Sequence, residues 1–256
     1  MKFAEIKKIL GKKVKIMTET EQMNENERQQ FTEFKRKLGL QAAQAQVGKI
    51  EYNLSDASVD RGALRKACQD ANAINIGAVC VLPDMVKAGK FYLGRESKIS
   101  VIAVISYPHG GDVTKVKAAA VKNAVKDGAD EVEVTVPIAY IKEKAWSYVK
   151  REFKKIKSAA KKSAVRINIE SALICPEEVS KVCVIATDCG ITSIKTSSDS
   201  ESISRIHTAV KDKCTIKADG INSVSDMITA VSMGAGVIGS KNALELARLV
   251  LQNYEY

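Results

Sequence analysis

From about residue 49 onward, short runs rich in β-branched residues alternate with longer stretches of helical periodicity, and this alternation constrains the fold more than any other feature. Strand candidates lie at 49–53 (KIEYN, the weakest), 78–82 (AVCVL), 99–106 (ISVIAVIS), 131–136 (EVEVTV), 165–170 (VRINIE), 191–196 (ITSIKT), 215–218 (TIKA) and 237–239 (VIG). The segments between them are amphipathic. After the third strand, Val113, Val116, Ala120 and Ala124 repeat at helical spacing and share one face, and Gly128 supplies a C-terminal stop. Pro176-Glu177-Glu178 opens another helix, with proline and acids in the first turn where both are favoured. Strict strand–helix alternation implies a parallel sheet with right-handed crossovers. Eight such units in about 210 residues fit a closed (β/α)8 TIM barrel, and the Gly-rich turn that an open nucleotide-binding sheet wants after its first strand is missing.

Residues 1–48 differ in character, being rich in Glu, Gln, Asn and Lys. They read as an N-terminal helical extension of one or two surface helices, with a partly disordered arm as the competing reading. The expected division is therefore an extension at 1–48 and a barrel at 49–256.

Composition narrows the function classes. With 45% hydrophobic and 27% charged residues the chain reads as a globular domain able to bury its core without staples. Its six cysteines form no C-x-x-C pair and read as small buried hydrophobes of a reducing compartment. With only His109 and His207 available, a zinc site is not expected, and His109 reads as a turn residue. The net charge of +10 comes from lysines dispersed along helices, such as Lys115, Lys122 and Lys126, without arginine–aromatic clusters. Solvated helix faces explain it better than a nucleic-acid partner. The first residues lack the apolar core of a signal peptide, and no segment reaches the roughly 18 apolar residues of a membrane span. A cytoplasmic protein is expected.

In such a barrel, chemistry belongs at the C-terminal strand ends. In order these offer Cys80, Tyr107-Pro108-His109, Glu133, Glu170, Lys195, Lys217 and Gly239-Ser240-Lys241. Two lysines on consecutive strands are the unusual feature, because burying an ammonium is costly without a purpose. Desolvation and a second nearby cation are expected to lower the pKa of Lys195, leaving free amine to attack a carbonyl. An amine that stayed protonated beyond pH 10 would count against this reading. Lys195 and Lys217 are 22 residues apart, one βα unit, which places them side by side. The competing reading is a buried salt bridge from one lysine to Glu133 or Glu170.

The motifs VCVLP around Cys80, YPHGGD at 107–112, GADEVEV at 128–134, IKTSS at 194–198 and TIKADG at 215–220 together resemble those of the deoxyribose-phosphate aldolase family. They occur in the family's order, and the resemblance spans about residues 49 to 250. It implies a metal- and cofactor-free Schiff-base aldolase that reversibly joins acetaldehyde and glyceraldehyde 3-phosphate into 2-deoxyribose 5-phosphate. It further implies that Lys195 forms the Schiff base, that Lys217 depresses its pKa, and that Glu133, in place of the family's aspartate, handles protons. Cys80, Asn53, Thr196, Ser198, Gly220, Gly239, Ser240 and Lys241 would contact substrate, with the phosphate held after strands seven and eight. Relatives are often dimers or tetramers, so a homo-oligomer is expected, and some use a C-terminal tyrosine, here Tyr256, in proton transfer.

The chain departs from the family around the phosphate. Ser198-Asp199 replaces Thr-Gly, Asp219-Gly220-Ile221 replaces a motif ending in Gly-Gly, and Glu51-Tyr52-Asn53 replaces Asp-His-Thr. Two alternatives follow: an aldehyde substrate without phosphate, or a barrel that has lost catalysis and binds acidic protein partners.

Overall fold

The computed structural model describes residues 25–252. Its strands are β1 (Ile50–Leu54), β2 (Ala78–Val81), β3 (Ser100–Ile105), β4 (Glu131–Thr135), β5 (Ala164–Asn168), β6 (Ser193–Ser197), β7 (Thr215–Asp219) and β8 (Val237–Ser240). They pair in sequence order, all parallel, and β8 closes on β1. The helices are α1 (Glu25–Val47), α2 (Arg61–Ile74), α3 (Val86–Leu93), α4 (Thr114–Lys126), α5 (Ile138–Lys142), α6 (Trp146–Ala160), α7 (Pro176–Asp188), α8 (Ser200–Val210), α9 (Val224–Ser232) and α10 (Ala243–Gln252). The molecule is a (β/α)8 TIM barrel. Among the described residues no helix is long and apolar enough to cross a membrane.

The period-2 alternation of each strand separates two environments. Ile50, Val101, Val132, Ile167, Ile194 and Ile216 join helix residues such as Leu64, Val121, Phe153 and Val182 in one continuous core. The lumen holds a second, small apolar cluster of Ala78, Cys80, Ile102 and Val104, from β2 and β3. Most TIM barrels fill this space with branched aliphatic layers. Here charged side chains occupy the rest of it.

Four helix starts follow local chemistry. Asp60 accepts a hydrogen bond from the Ala63 amide at 2.7 Å, Asp199 from Ser202 at 2.7 Å and Ser223 from Asp226 at 3.1 Å, relieving amides that no helical carbonyl reaches. Pro176 begins α7, as its fixed φ and missing N–H allow. Helix α1 packs on α10 and buries Ala43 and Val47. Residues 1–24 and Tyr256 lie outside the described residues.

Two expectations are corrected. On α4 the inward face is Lys117, Ala118, Val121 and Ala124, while Val113 and Val116 are exposed. The helix rolls to bring the Lys117 ammonium to the Thr135 carbonyl at 2.9 Å and Glu152 at 2.8 Å, an ion pair buried between α4 and α6. Nor are the cysteines uniformly buried. Cys68, Cys80 and Cys183 are, but Cys175 is exposed at the start of α7, and Cys189 and Cys214 are half-buried.

Candidate active site

Strand register places Lys195 directly beside Lys217, and both side chains point into the lumen. Lys195 Nζ lies 3.0 Å from Asp219 Oδ2 and 3.3 Å from Glu133 Oε1. The Tyr107 ring, 4.8 Å from the same nitrogen, presents its face to the cation. Lys217 Nζ sits deeper, 2.9 Å from Glu51 Oε2, 3.2 Å from Glu133 Oε2, 3.3 Å from Asn53 Oδ1 and 3.4 Å from Cys80 Sγ. Arg166, from β5, completes the network. Its guanidinium grips both oxygens of Glu51 at 2.7 and 2.8 Å and reaches Glu131 at 3.1 Å and Glu133 at 3.2 Å. Its Nε donates to Ser193 Oγ at 2.9 Å.

The charge balance corrects the expected state of Lys195. Burial favours its neutral amine, and Lys217 adds to that, but Glu133 and Asp219 outweigh both and raise its pKa above the ordinary lysine value. Before substrate arrives, Lys195 is an ammonium. The second lysine does oppose its charge, as expected, but two carboxylates at 3.0 and 3.3 Å prevail. Lys217 is likewise held protonated: burial opposes its charge, while the Glu133 and Glu51 carboxylates drive its pKa well up. Glu133 shows the converse. Burial alone would push its carboxyl up, yet Lys217, Lys195 and Arg166 hold it well below the usual carboxylate range. Desolvation pushes the Cys80 thiol well up, so it stays protonated.

Above Lys195, at the C-terminal end of the barrel, opens a cavity of about 160 Å³. Tyr107, Asn168, Glu170, Lys195, Asp219 and Gly220 form much of its wall. A tight turn shapes one side, where Gly110 has φ +61° and an added Cβ would lie 1.9 Å from the Val136 carbonyl oxygen. An amine facing such a cavity can condense with a carbonyl once it has lost its proton.

Residues 51–191 match a family model described as DeoC/LacD family aldolase. The deoxyribose-phosphate aldolase of Finegoldia magna is 30% identical over 205 residues, covering 77% of this chain and 96% of that one. The chain belongs to the DeoC/LacD aldolase family. The deoxyribose-phosphate aldolase of Lysinibacillus sphaericus is 31% identical over 216 residues, 81% of this chain and 96% of its own. Among solved structures, an aldolase named QR15 superposes with a TM-score of 0.77 at 24% identity, covering 81% of this chain and 96% of that one. A deoxyribose phosphate aldolase from Aeropyrum pernix, described as a unique tetramer, gives 0.71 at 20% identity, covering 84% and 95%.

Against this DeoC/LacD framework, the expected site residues separate into groups. Lys195, Lys217, Glu133, Asn53 and Cys80 converge in the lumen. Thr196 is buried on the cavity wall and donates to Ser171 Oγ at 3.2 Å. Gly220 lies on the wall, and Ser198 is exposed beyond it. Gly239 makes room for the charged cluster, because a Cβ there would meet Asp219 Oδ1 at 2.0 Å and Lys217 Cε at 2.6 Å.

The loops expected to hold phosphate are already engaged. The amides of Gly220 and Ile221 both donate to the Gly239 carbonyl, at 3.0 and 3.1 Å. Ser240 Oγ accepts from the Asn242 amide at 2.9 Å. Lys241 extends into solvent and pairs with Asp56 at 3.6 Å. Asp199 is not aimed at the cavity but caps α8, and Ile221 is fully buried.

Four members of the cluster had no site role in the sequence: Glu51, Glu131, Arg166 and Asp219. Alternation was the available signal. In VRINIE, Arg166 shares its face with Asn168 and Glu170, and in TIKAD, Asp219 shares its face with Lys217.

Proposed function

We propose that this protein is a Schiff-base aldolase that reversibly cleaves 2-deoxy-D-ribose 5-phosphate to acetaldehyde and glyceraldehyde 3-phosphate, with Lys195 as nucleophile. One observation carries the reading: Lys195 puts its amine on the wall of the strand-end cavity, with two carboxylates within 3.3 Å. The neutral amine adds to the sugar aldehyde, and loss of water gives an iminium. That cation withdraws electrons from the neighbouring carbon, so the bond two atoms away breaks and the second aldehyde departs. Lys217 and Arg166 keep Glu133 ionised beside the reacting nitrogen, and Glu133 moves protons through a water. The chemistry draws on side chains alone and calls for no cofactor. In this reading residues 49–256 form the catalytic barrel and 1–48 an extension, and the protein works in the cytoplasm as a homo-oligomer, as the tetrameric Aeropyrum pernix neighbour suggests.

Borohydride reduction in the presence of acetaldehyde, followed by peptide mass spectrometry, tests the nucleophile. An ethyl adduct on Lys195, and its loss together with turnover in Lys195→Leu, is the expected result. Unimpaired cleavage by that variant would refute the mechanism.

A second reading shares the iminium but takes an unphosphorylated aldehyde. It is favoured by the Gly220 and Ile221 amides, which already serve the Gly239 carbonyl. Comparing kcat/KM for 2-deoxyribose and its 5-phosphate separates the two, and a preference for the phosphorylated sugar by more than tenfold would end the second reading.

A further inference from the structure

The lumen contains two carboxylates within reach of the Lys195 nitrogen, and they are not equivalent. Glu133 is 1% exposed, and its Oε2 is shared between Arg166 and Lys217, both at 3.2 Å. It does not reach the cavity wall. Asp219 does, with a side chain 20% exposed and Oδ2 3.0 Å from Lys195 Nζ. Its other oxygen accepts a hydrogen bond from Asn53 Nδ2, which fixes the carboxylate plane and leaves Oδ2 toward the lysine. The site is built around this group, since only a glycine at 239 leaves room for Oδ1.

Resting on the Lys195 reading above, we propose that Asp219 is a second catalytic residue, the general acid and base that carries protons during formation and hydrolysis of the Schiff base. Substrate entry displaces water from the cavity, and Asp219 Oδ2 takes a proton from the Lys195 ammonium, leaving a neutral amine and a neutral acid. The nitrogen lone pair forms the C–N bond, and the carbonyl π pair moves to oxygen. The acid protonates that oxygen while its carboxylate recovers a proton from nitrogen, giving a neutral carbinolamine. The acid then protonates the hydroxyl, the C–O bond breaks, water leaves, and the nitrogen lone pair closes the iminium. Asp219 ends as the carboxylate it began as, and the single positive charge has moved from ammonium to iminium.

Glu133 is poorly suited to this shuttle. It stands behind the cavity wall, and although burial pushes its carboxyl up, Lys217, Lys195 and Arg166 hold it well down, so its protons move through a water and not by direct transfer to the carbinolamine. Its negative charge, 3.3 Å from Lys195 Nζ, also gives electrostatic support to the iminium. The assignment also reconciles a protonated resting lysine with nucleophilic chemistry, because the base that frees the amine stands in contact with it.

The test measures the rate of borohydride-trapped acetaldehyde adduct at Lys195 in the full-length protein and in Asp219→Asn, Asp219→Glu and Asp219→Ala. A proton shuttle predicts trapping about a hundredfold slower in Asp219→Asn at pH 7. It also predicts partial recovery in Asp219→Glu, and recovery by added formate in Asp219→Ala. A mere counter-ion predicts the opposite, because removing a carboxylate lowers the amine's affinity for its proton and speeds trapping at neutral pH. Trapping in Asp219→Asn as fast as in the unaltered protein, or faster, overturns the inference. Formate rescue of the alanine variant decides the matter should the asparagine variant fold poorly, and no rescue counts against the shuttle. No Lys195 adduct in the unaltered protein would instead sink the underlying aldolase reading, and this inference with it.

Discussion

Arg166 and Glu51, 115 residues apart in sequence, meet in the barrel lumen through two parallel hydrogen bonds of 2.7 and 2.8 Å. The pair joins β5 to β1 across the barrel, and it orients the same glutamate that holds Lys217. Removing one member of a buried pair leaves the other unbalanced in a poorly solvated space. Arg166→Met should therefore lower unfolding free energy by about 3–5 kcal/mol in urea. Arg166→Lys should recover only part of that, since an ammonium cannot reproduce the two-pronged contact. Equal stability for all three proteins would show that the pair contributes nothing.

The acidic members of the cluster set the response to pH. Burial pushes the Glu51 carboxyl up, but Arg166 and Lys217 overcome this and bring it from 4.5 to about 2. A folded-state pKa below the unfolded value means that the stabilisation is complete above the unfolded value and disappears as pH falls through the folded one. Glu133 acts in the same direction. The melting temperature should hold above pH 5 and then fall steadily toward pH 2, with a shallower fall in Glu51→Gln measured relative to its own plateau. A flat profile between pH 5 and pH 2.5 contradicts this account.

Gly239→Ala should impair catalysis more than folding. The added methyl would overlap Asp219 Oδ1 and Lys217 Cε, the ends of side chains that can shift without moving the backbone. Overpacking of this kind costs roughly 1–3 kcal/mol, whereas misplacing a reacting group by about 1 Å costs on the order of a hundredfold in rate. Paired measurements of kcat and melting temperature check the ratio, and full activity in the variant would show that the cluster tolerates displacement.

Outside the lumen, Lys117 and Glu152 form an ion pair with neither side chain exposed. Glu152→Ala should destabilise by about 3–5 kcal/mol. Glu245→Ala, which removes the exposed Arg248 pairing at 3.7 Å, should cost less than about 1 kcal/mol. Similar losses in the two variants would mean that burial does not govern these pairs.

The sequence made the barrel legible because its strands repeat a simple local pattern, and every expected strand region overlaps an observed one. Lys195 and Lys217 stood out because a lysine amid β-branched neighbours is conspicuous. Arg166 was missed for a related reason, since a charged residue in an alternating strand reads as facing solvent, and only barrel closure turns that face inward. The protonation of Lys195 was not legible at all, because it depends on acids delivered by β4 and β7 in three dimensions. The α4 face was misread because Lys117, whose helical spacing sets it beside Ala124 but whose charge reads as solvent-facing, finds a buried partner on α6.

Among the described residues, the two sequence halves of the barrel bring opposite charges to the cluster. The strands up to β4 supply Glu51, Glu131 and Glu133, while those from β5 onward supply Arg166, Lys195 and Lys217, with Asp219 the single acid among them. Neither half can dry its inner surface alone, because each would strand like charges away from water. Expelling solvent from the centre is therefore a property of the finished ring, and the chain must join its first and last strands before its interior can become a place for chemistry.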